Sequence, residues 1–279
     1  MPELPEVETI KNTLKELVID KEIQDVTIHW PNIIKKPDDT ELFRMMLKGQ
    51  TFRDLGRKGK FILFYLDDYV LVSHLRMEGK YQVTPPDDPV DKHTHVIFSC
   101  TDGEELRYHD VRKFGTMHLF LKGEEFIHPP LNKLGPDPFE NHFTFDYFYK
   151  KMKKTDRFVK IVLLDQAIVS GLGNIYVDEI LFKAGVHPLS RASKLTKKEI
   201  RSIYEGCIET IDAAVKLGGT TIRSYVNSQG EMGMFQQNLF VYGQEDEPCQ
   251  HCGQLILKMK VGGRGTHVCP ACQKKRWYD

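Results

Sequence analysis

Pro2 and Glu3, in the opening run Met1-Pro2-Glu3-Leu4-Pro5-Glu6-Val7-Glu8-Thr9, set a secondary amine beside a carboxyl group once Met1 is removed. Such an amine attacks an electrophilic sugar or carbonyl carbon to give an iminium, and does so best with its pKa near neutrality. The neighbouring carboxyl can shuttle the proton. From Pro5 onward, Val7, Ile10, Leu14, Leu17 and Val18 recur at three- and four-residue spacing, which predicts an amphipathic helix. Pro5, Glu6 and Glu8 suit its first turn. Pro2 and Glu3 would then lie at the positive end of the helix dipole, a field that disfavours a protonated amine and favours an ionised Glu3. Taken alone, the same residues also read as a plain acidic helix start.

The other chemistry lies near the far end. Cys249 and Cys252, then Cys269 and Cys272, form two C-x2-C pairs sixteen residues apart, the pattern of a tetrathiolate zinc site. A reducing compartment disfavours the alternative of disulfides. Four thiolates close the coordination sphere, so one structural zinc with no open position is expected. Between the pairs, Leu255 to Val261 and the run Gly262-Gly263-Arg264-Gly265-Thr266-His267 predict a β-hairpin whose tip offers Arg264, suited to clamping a phosphate. Ser170-Gly171-Leu172-Gly173-Asn174 leads into a second predicted helix, and a Gly-rich helix start is an anion site. Taken alone, Arg264 also reads as a solvated loop residue and the Gly-rich segment as a flexible connector.

Those residues need two scaffolds. A chain of 279 residues is long enough for two cores. No run of eighteen apolar residues occurs and no basic start precedes an apolar stretch, so a protein of the cytoplasm without a membrane span is expected. Net charge is zero, but residues 1–150 carry 20 Lys and Arg against 26 Asp and Glu, and residues 151–279 carry 19 against 13. The basic second half is compatible with phosphate binding. After the first helix, β-type runs dominate: Phe61 to Leu66 with Tyr69 to Ser73 around Asp67-Asp68, and His95 to Cys100 with Glu105 to Tyr108 around Asp102-Gly103. Both read as hairpins, and with Met117 to Leu121 they predict a β-sandwich or flattened barrel. Four prolines and a glycine within 128–138 mark a linker. Helical spacing follows over Phe158 to Ala167, Asn174 to Ala184 and Thr196 to Leu217, the last with a Thr196/Glu199 capping box and a Gly218-Gly219 stop. Cys207 shares spacing with Ile200, Ile203, Ile211 and Ala214, which predicts a buried thiol.

Pro2 to Glu8, His74-Leu75-Arg76-Met77-Glu78-Gly79, Arg112-Lys113-Phe114-Gly115, Gly171 to Tyr176, and Gly263-Arg264-Gly265-Thr266 with Cys269-Pro270-Ala271-Cys272-Gln273 together resemble the bacterial formamidopyrimidine-DNA glycosylases, in that family's order along the whole chain. The resemblance implies an α+β multidomain protein. Its parts would be an N-terminal β-sandwich with flanking helices over residues 1–128, a linker over 129–142, a helix–two-turn–helix domain over 143–240, and a β-hairpin zinc finger over 241–279. It implies a monomer acting on double-stranded DNA that contains an oxidised purine, held across the cleft between domains. The enzyme would excise 8-oxoguanine or formamidopyrimidines through a Pro2 Schiff base and cut the strand by β,δ-elimination. Glu3 would protonate the sugar ring oxygen, and Lys60, Asn174 and Arg264 would bind phosphates, with Lys60 and Arg264 counted among the catalytic residues. His93 would be a further DNA contact. Met77 would fill the gap left by the flipped base, Phe114 would wedge the stack and Arg112 would face the orphaned base. Glu6, Glu78, Thr220, Ile222, Arg223, Ser224 and Tyr225 would contact the lesion, the last five in a closing loop over about 218–237. Endonuclease VIII, which shares Pro-Glu and zinc but takes oxidised pyrimidines, is the nearer alternative, and Met77, Arg112 and Phe114 fit the purine pattern instead. A non-catalytic zinc-finger DNA-binding protein is the other alternative, and Pro2, Glu3 and Lys60 are all present.

Overall fold

A computed structural model describes residues 2–220 and 233–275. The chain forms two compact units, Met1–Asn132 with Gly218–Gly233, and Lys133–Leu217 with Met234–Asp279.

The first unit opens with α1 (Leu4–Val18), whose Leu4, Val7, Ile10, Leu14 and Val18 are all buried. Strand β1 (Ile23–Ile28), strand β2 (Ile34–Lys36) and α2 (Thr40–Leu47) follow. Asp39 caps α2 by accepting the N–H groups of Glu41 and Leu42. Then come β3 (Asp54–Lys58), β4 (Phe61–Tyr65), β5 (Tyr69–His74), β6 (Lys80–Thr84), β7 (Thr94–Cys100), β8 (Glu105–His109) and β9 (Thr116–Leu121). They make a five-stranded sheet in the order β2-β9-β5-β4-β3 and a four-stranded sheet in the order β1-β7-β8-β6. Both expected hairpins are present, with Phe64 opposite Leu71 and Phe98 opposite Leu106. These four residues, with Tyr81, Tyr108, Phe52 and the apolar face of α1, form one continuous core. Burying that much apolar surface is what holds the two sheets and the helix together. Cys100 lies in the same core, where burial pushes its thiol up to about 11.

The second unit is helical: α3 (Phe145–Lys153), α4 (Val159–Leu164), α5 (Asn174–Lys183) and α6 (Lys197–Lys216). The Thr196/Glu199 capping box is formed and the chain leaves α6 through Gly218 and Gly219, both at positive φ. Cys207 is buried beside Ile203 and Ile211, as its spacing predicts. The largest boundary difference from expectation is at α4, which stops at Leu164, not Ala167. The Asp165 carboxylate accepts the Ala167 N–H at 3.0 Å, a local turn that competes with another helical step. The hairpin of β10 (Leu257–Val261) and β11 (Arg264–Val268) closes on the two-residue turn Gly262-Gly263, both at positive φ.

Candidate active site and nucleic-acid interface

Pro2 and Glu3 are buried directly ahead of α1. Glu3 is the N-cap residue, and with Glu6 it forms a capping box in which the Glu3 N–H donates to Glu6 Oε2 at 2.9 Å. The other Glu6 oxygen accepts the Thr220 N–H at 2.8 Å and the Thr220 hydroxyl at 3.1 Å. Gly219 makes this approach possible, because a Cβ there would stand 2.7 Å from Glu6 Oε1. One carboxylate therefore fixes both the head of the helix and a residue 214 positions away. Ile222, Arg223, Ser224 and Tyr225 lie outside the described residues.

Lys60 is buried at the turn between β3 and β4, next to Gly59 at positive φ. Arg57 fastens this turn to α1: it donates to the Gly59 carbonyl at 3.0 Å and to Glu8 at 2.7 Å. Burial alone would raise the Glu8 pKa, but hydrogen bonds and charge from Lys11 and Arg57 outweigh it and hold the group below its ordinary value. The ion pair that positions the Lys60 turn thus persists through the neutral range.

Met77 and Phe114 are exposed, each on a loop tip of the first unit. The exposed Arg112 guanidinium lies 4.7 Å from the Phe114 ring centroid, a cation–π stack. Glu78 is exposed, while the half-buried His93 stands edge-on to His109 and donates its N–H to Asp91.

His74 ends β5 and leads into the Met77 loop. Its Nδ1 accepts the Arg76 N–H at 2.9 Å, and burial, followed by the charges of Arg76 and Lys60, pushes its pKa down to about 3. The unfolded chain gains a proton near its ordinary value of 6.5, whereas the folded chain stays neutral until about 3. Stability from this group is therefore fully present above about 6.5 and declines as pH falls through that window. Urea unfolding between about pH 7 and pH 4 is expected to show a steeper loss in the parent than in His74→Asn. Identical slopes would show that the ring is not held neutral.

In the second unit Asn174 begins α5, and its side-chain amide donates to the Gly265 carbonyl at 2.8 Å. Lys160 donates to the same carbonyl at 3.0 Å and to Asp178 at 2.7 Å, and the Asp178 carboxylate accepts the His267 N–H at 2.9 Å. Lys160 and Asp178 are fully buried, so this pair must be satisfied completely to be tolerated. Its effect is to seat β11 on α5, with the exposed Arg264 next to Asn174's acceptor. Glu179, also on α5, accepts the N–H groups of Phe240, Val241 and Tyr242. Burial raises its pKa despite those three bonds. Neither Asp178 nor Glu179 is among the residues expected from the sequence to matter, because nothing local marks an acidic helix residue as the acceptor of distant backbone N–H groups.

The sulfurs of Cys249, Cys252, Cys269 and Cys272 all lie within 4.8 Å of one another, and none is in a disulfide. Two of the separations are 3.9 and 3.5 Å. Zn–S bonds of about 2.3 Å in a tetrahedron give edges of about 3.8 Å, so the cluster fits one zinc ion with no further ligand. Gln273 steadies it, accepting the Cys269 N–H and donating to the Val186 carbonyl.

Comparison with known proteins gives matches along most of the chain. Residues 1–117 match the formamidopyrimidine-DNA glycosylase N-terminal domain, residues 134–226 the formamidopyrimidine-DNA glycosylase H2TH domain, and residues 246–275 the zinc finger found in FPG and IleRS. A formamidopyrimidine-DNA glycosylase of Oceanobacillus iheyensis is 64% identical over 276 residues, covering 99% of each chain. One from Bacillus licheniformis is 60% identical over 99% of this chain and 100% of its own. Among solved structures, Lactococcus lactis Fpg in complex with abasic-site DNA superposes with a TM-score of 0.92 at 40% identity, covering 98% of this chain and 100% of the other. The same protein bound to an N7-benzyl-Fapy-dG-containing DNA gives the same score and coverage.

Proposed function

Since this chain belongs to the formamidopyrimidine-DNA glycosylase family, we propose that its buried Pro2–Glu3 pair carries out the chemistry on an oxidised purine in duplex DNA. It is a base-excision-repair DNA glycosylase for oxidised purines, and AP lyase activity is characteristic of the family. The carrying observation is the capping box at the head of α1, which holds Glu3 beside the nitrogen that becomes free when Met1 is removed.

In this reading the Pro2 nitrogen bonds to C1′ of the damaged nucleotide as the glycosidic electron pair leaves with the base, the nitrogen's proton passes to the departing base, and Glu3 delivers a proton to the sugar ring oxygen. The ring opens to an iminium, and β- then δ-elimination expels the flanking phosphates. A base within the stack is out of reach, so the nucleotide must first be flipped out. Met77 fills the gap, Phe114 wedges the stack, and Arg112 faces the orphaned base. Lys60, Asn174 and Arg264 hold phosphates, with His93 a further contact, and phosphate contacts set register without reading sequence. Glu6 orders the N-terminus and, with Glu78, Thr220, Ile222, Arg223, Ser224 and Tyr225, borders the lesion. We also assign residues 1–128 to the catalytic domain, 129–142 to the linker, 143–240 to the helical domain and 241–279 to the finger. The reading includes a single zinc at the four cysteines, a monomer, and action in the cytoplasm. Among the described residues no helix is long and apolar enough to cross a membrane.

Discrimination at the orphaned base tests it. Arg112 has donors and no acceptor, so it can pair with O2 and N3 of cytosine, whereas adenine's pairing edge has one acceptor beside a donor. Excision of 8-oxoguanine is expected to be faster opposite cytosine than opposite adenine by about 1–3 kcal/mol in activation free energy. Arg112→Ala should lower activity and level that preference together. An unchanged ranking in the variant would remove the role from Arg112, and faster excision of oxidised pyrimidines would favour the endonuclease VIII reading.

A further inference from the structure

The Met77 loop runs from His74 at the end of β5 to Gly79, and the Arg112–Phe114 loop from Asp110 after β8 to Gly115. They are far apart in sequence but built alike. In each, a non-glycine residue in the left-handed region stands directly before the exposed tip: Arg76 at φ 56 before Met77, and Lys113 at φ 57 before Phe114. Such residues cost free energy and persist only where the surroundings over-determine them. Each loop ends in a glycine, and a Cβ added at either Gly79 or Gly115 would overlap the same atom, the hydroxyl oxygen of Tyr108. That hydroxyl therefore lies against the backbones of both loops.

Tyr108 is fully buried on β8, opposite Tyr81 of β6, with the two rings 5.0 Å apart edge to face. Its hydroxyl donates to Asp110 Oδ2 at 3.4 Å. Asp110, with no exposed surface, spends every polar atom on the second loop and its neighbours. Oδ1 accepts the Arg112 N–H at 3.0 Å, and Oδ2 accepts those of Phe114 and Gly115 at 2.9 and 2.8 Å. Its own N–H donates to the His93 carbonyl, and its carbonyl accepts from the Lys113 N–H and faces His95 Nε2. Lys113 is drawn outward to the Trp30 ring, 3.9 Å away. Hydrogen bonds from backbone N–H groups to a buried carboxylate are among the stronger kinds, and losing one partner leaves the rest unsatisfied.

We propose that Tyr108 and Asp110 form one positioning hub that holds both tips, so that Met77 and the Arg112–Phe114 pair enter the DNA stack as a single preorganised wedge. The proposal rests on the wedge and orphaned-base roles given above for those three residues. Ordering two independent loops at the moment of binding would cost conformational entropy twice, and the hub removes that cost beforehand. Both hub residues are fully buried, away from the surface that DNA would meet. Their effect is transmitted through the backbone of the loops.

Two variants test it: Tyr108→Phe, which removes only the hydroxyl, and Asp110→Asn, which keeps the shape but replaces one acceptor with a donor. Each is assayed for excision from 8-oxoguanine duplexes opposite cytosine and adenine, for lysis of a preformed abasic site in single-stranded DNA, and for thermal stability. Single-stranded DNA has neither a stack to open nor an orphaned base. Duplex excision is expected to fall on the order of tenfold further than single-strand lysis, with the cytosine-over-adenine ratio dropping toward that of Arg112→Ala. Equal losses in the two assays, or an unchanged base ratio in Tyr108→Phe, would overturn the hub. If Asp110→Asn does not fold, Tyr108→Phe decides alone. If Met77→Ala, Arg112→Ala and Phe114→Ala leave duplex excision and the base ratio untouched, the wedge reading fails and not the coupling.

Discussion

Base excision and covalent trapping are both expected to vanish when any residue precedes Pro2. An amide nitrogen has its electron pair delocalised into the carbonyl and cannot form an iminium, so only the free N-terminal form reacts. Borohydride added during turnover on an 8-oxoguanine duplex should reduce the iminium and join protein to DNA, and peptide mapping should place the adduct on Pro2. Glu3→Gln keeps the size of the side chain and removes its acid–base function, so excision should fall by roughly 10²- to 10⁴-fold. Folding should survive, since the Glu3 N–H still reaches Glu6 and α1 remains buried along Leu4, Val7 and Ile10. An adduct on a lysine, or full activity in a protein extended ahead of Pro2, would refute the assignment. The phosphate-binding roles proposed for Lys60, Asn174 and Arg264 do not depend on which nitrogen attacks.

Zinc removal is the other large effect. Around the four thiols, Phe182, Val241, Cys249, Ile256 and Cys269 form a small apolar cluster, and two of these five are themselves zinc ligands. So small a cluster gives the cysteine-bearing loops little to fold around, and metal binding is expected to supply most of their folding free energy. Chelation is expected to unfold β10 and β11, release Arg264 and abolish binding to damaged duplex. The first unit has its own core, spanning both sheets and α1, and should keep its cooperative unfolding transition. Cys272→Ser should behave like the chelated protein. A zinc-free protein that binds damaged duplex with undiminished affinity would show the finger to be dispensable.

The parts legible in advance have short-range causes. The α6 start needs only Thr196 and Glu199, three residues apart, and its end only Gly218 and Gly219. The hairpins at Asp67-Asp68 and Asp102-Gly103 follow from turn residues between β-branched and aromatic runs. The zinc ligands are legible because thiol spacing is itself the coordination geometry. By contrast, β1, β2, β3, β6, α2 and α3 are not among the elements expected from the sequence. The end of α4 departs from its expected place because apolar spacing continues past Asp165 while that residue's side chain turns the backbone away.

The sequence by itself determined the chemistry available to this protein: a proline nitrogen beside a carboxyl, four thiols at zinc spacing, and basic and aromatic residues within motifs that resemble those of its family. Only the tertiary structure decided which distant residues meet. Glu6 joins Thr220 across 214 positions, Lys160 and Asn174 converge on the Gly265 carbonyl, and Tyr108 backs both Gly79 and Gly115. Contacts of this kind leave no periodicity in the chain, because a buried polar side chain is chosen for whichever backbone groups the packed core brings to it and leaves unsatisfied.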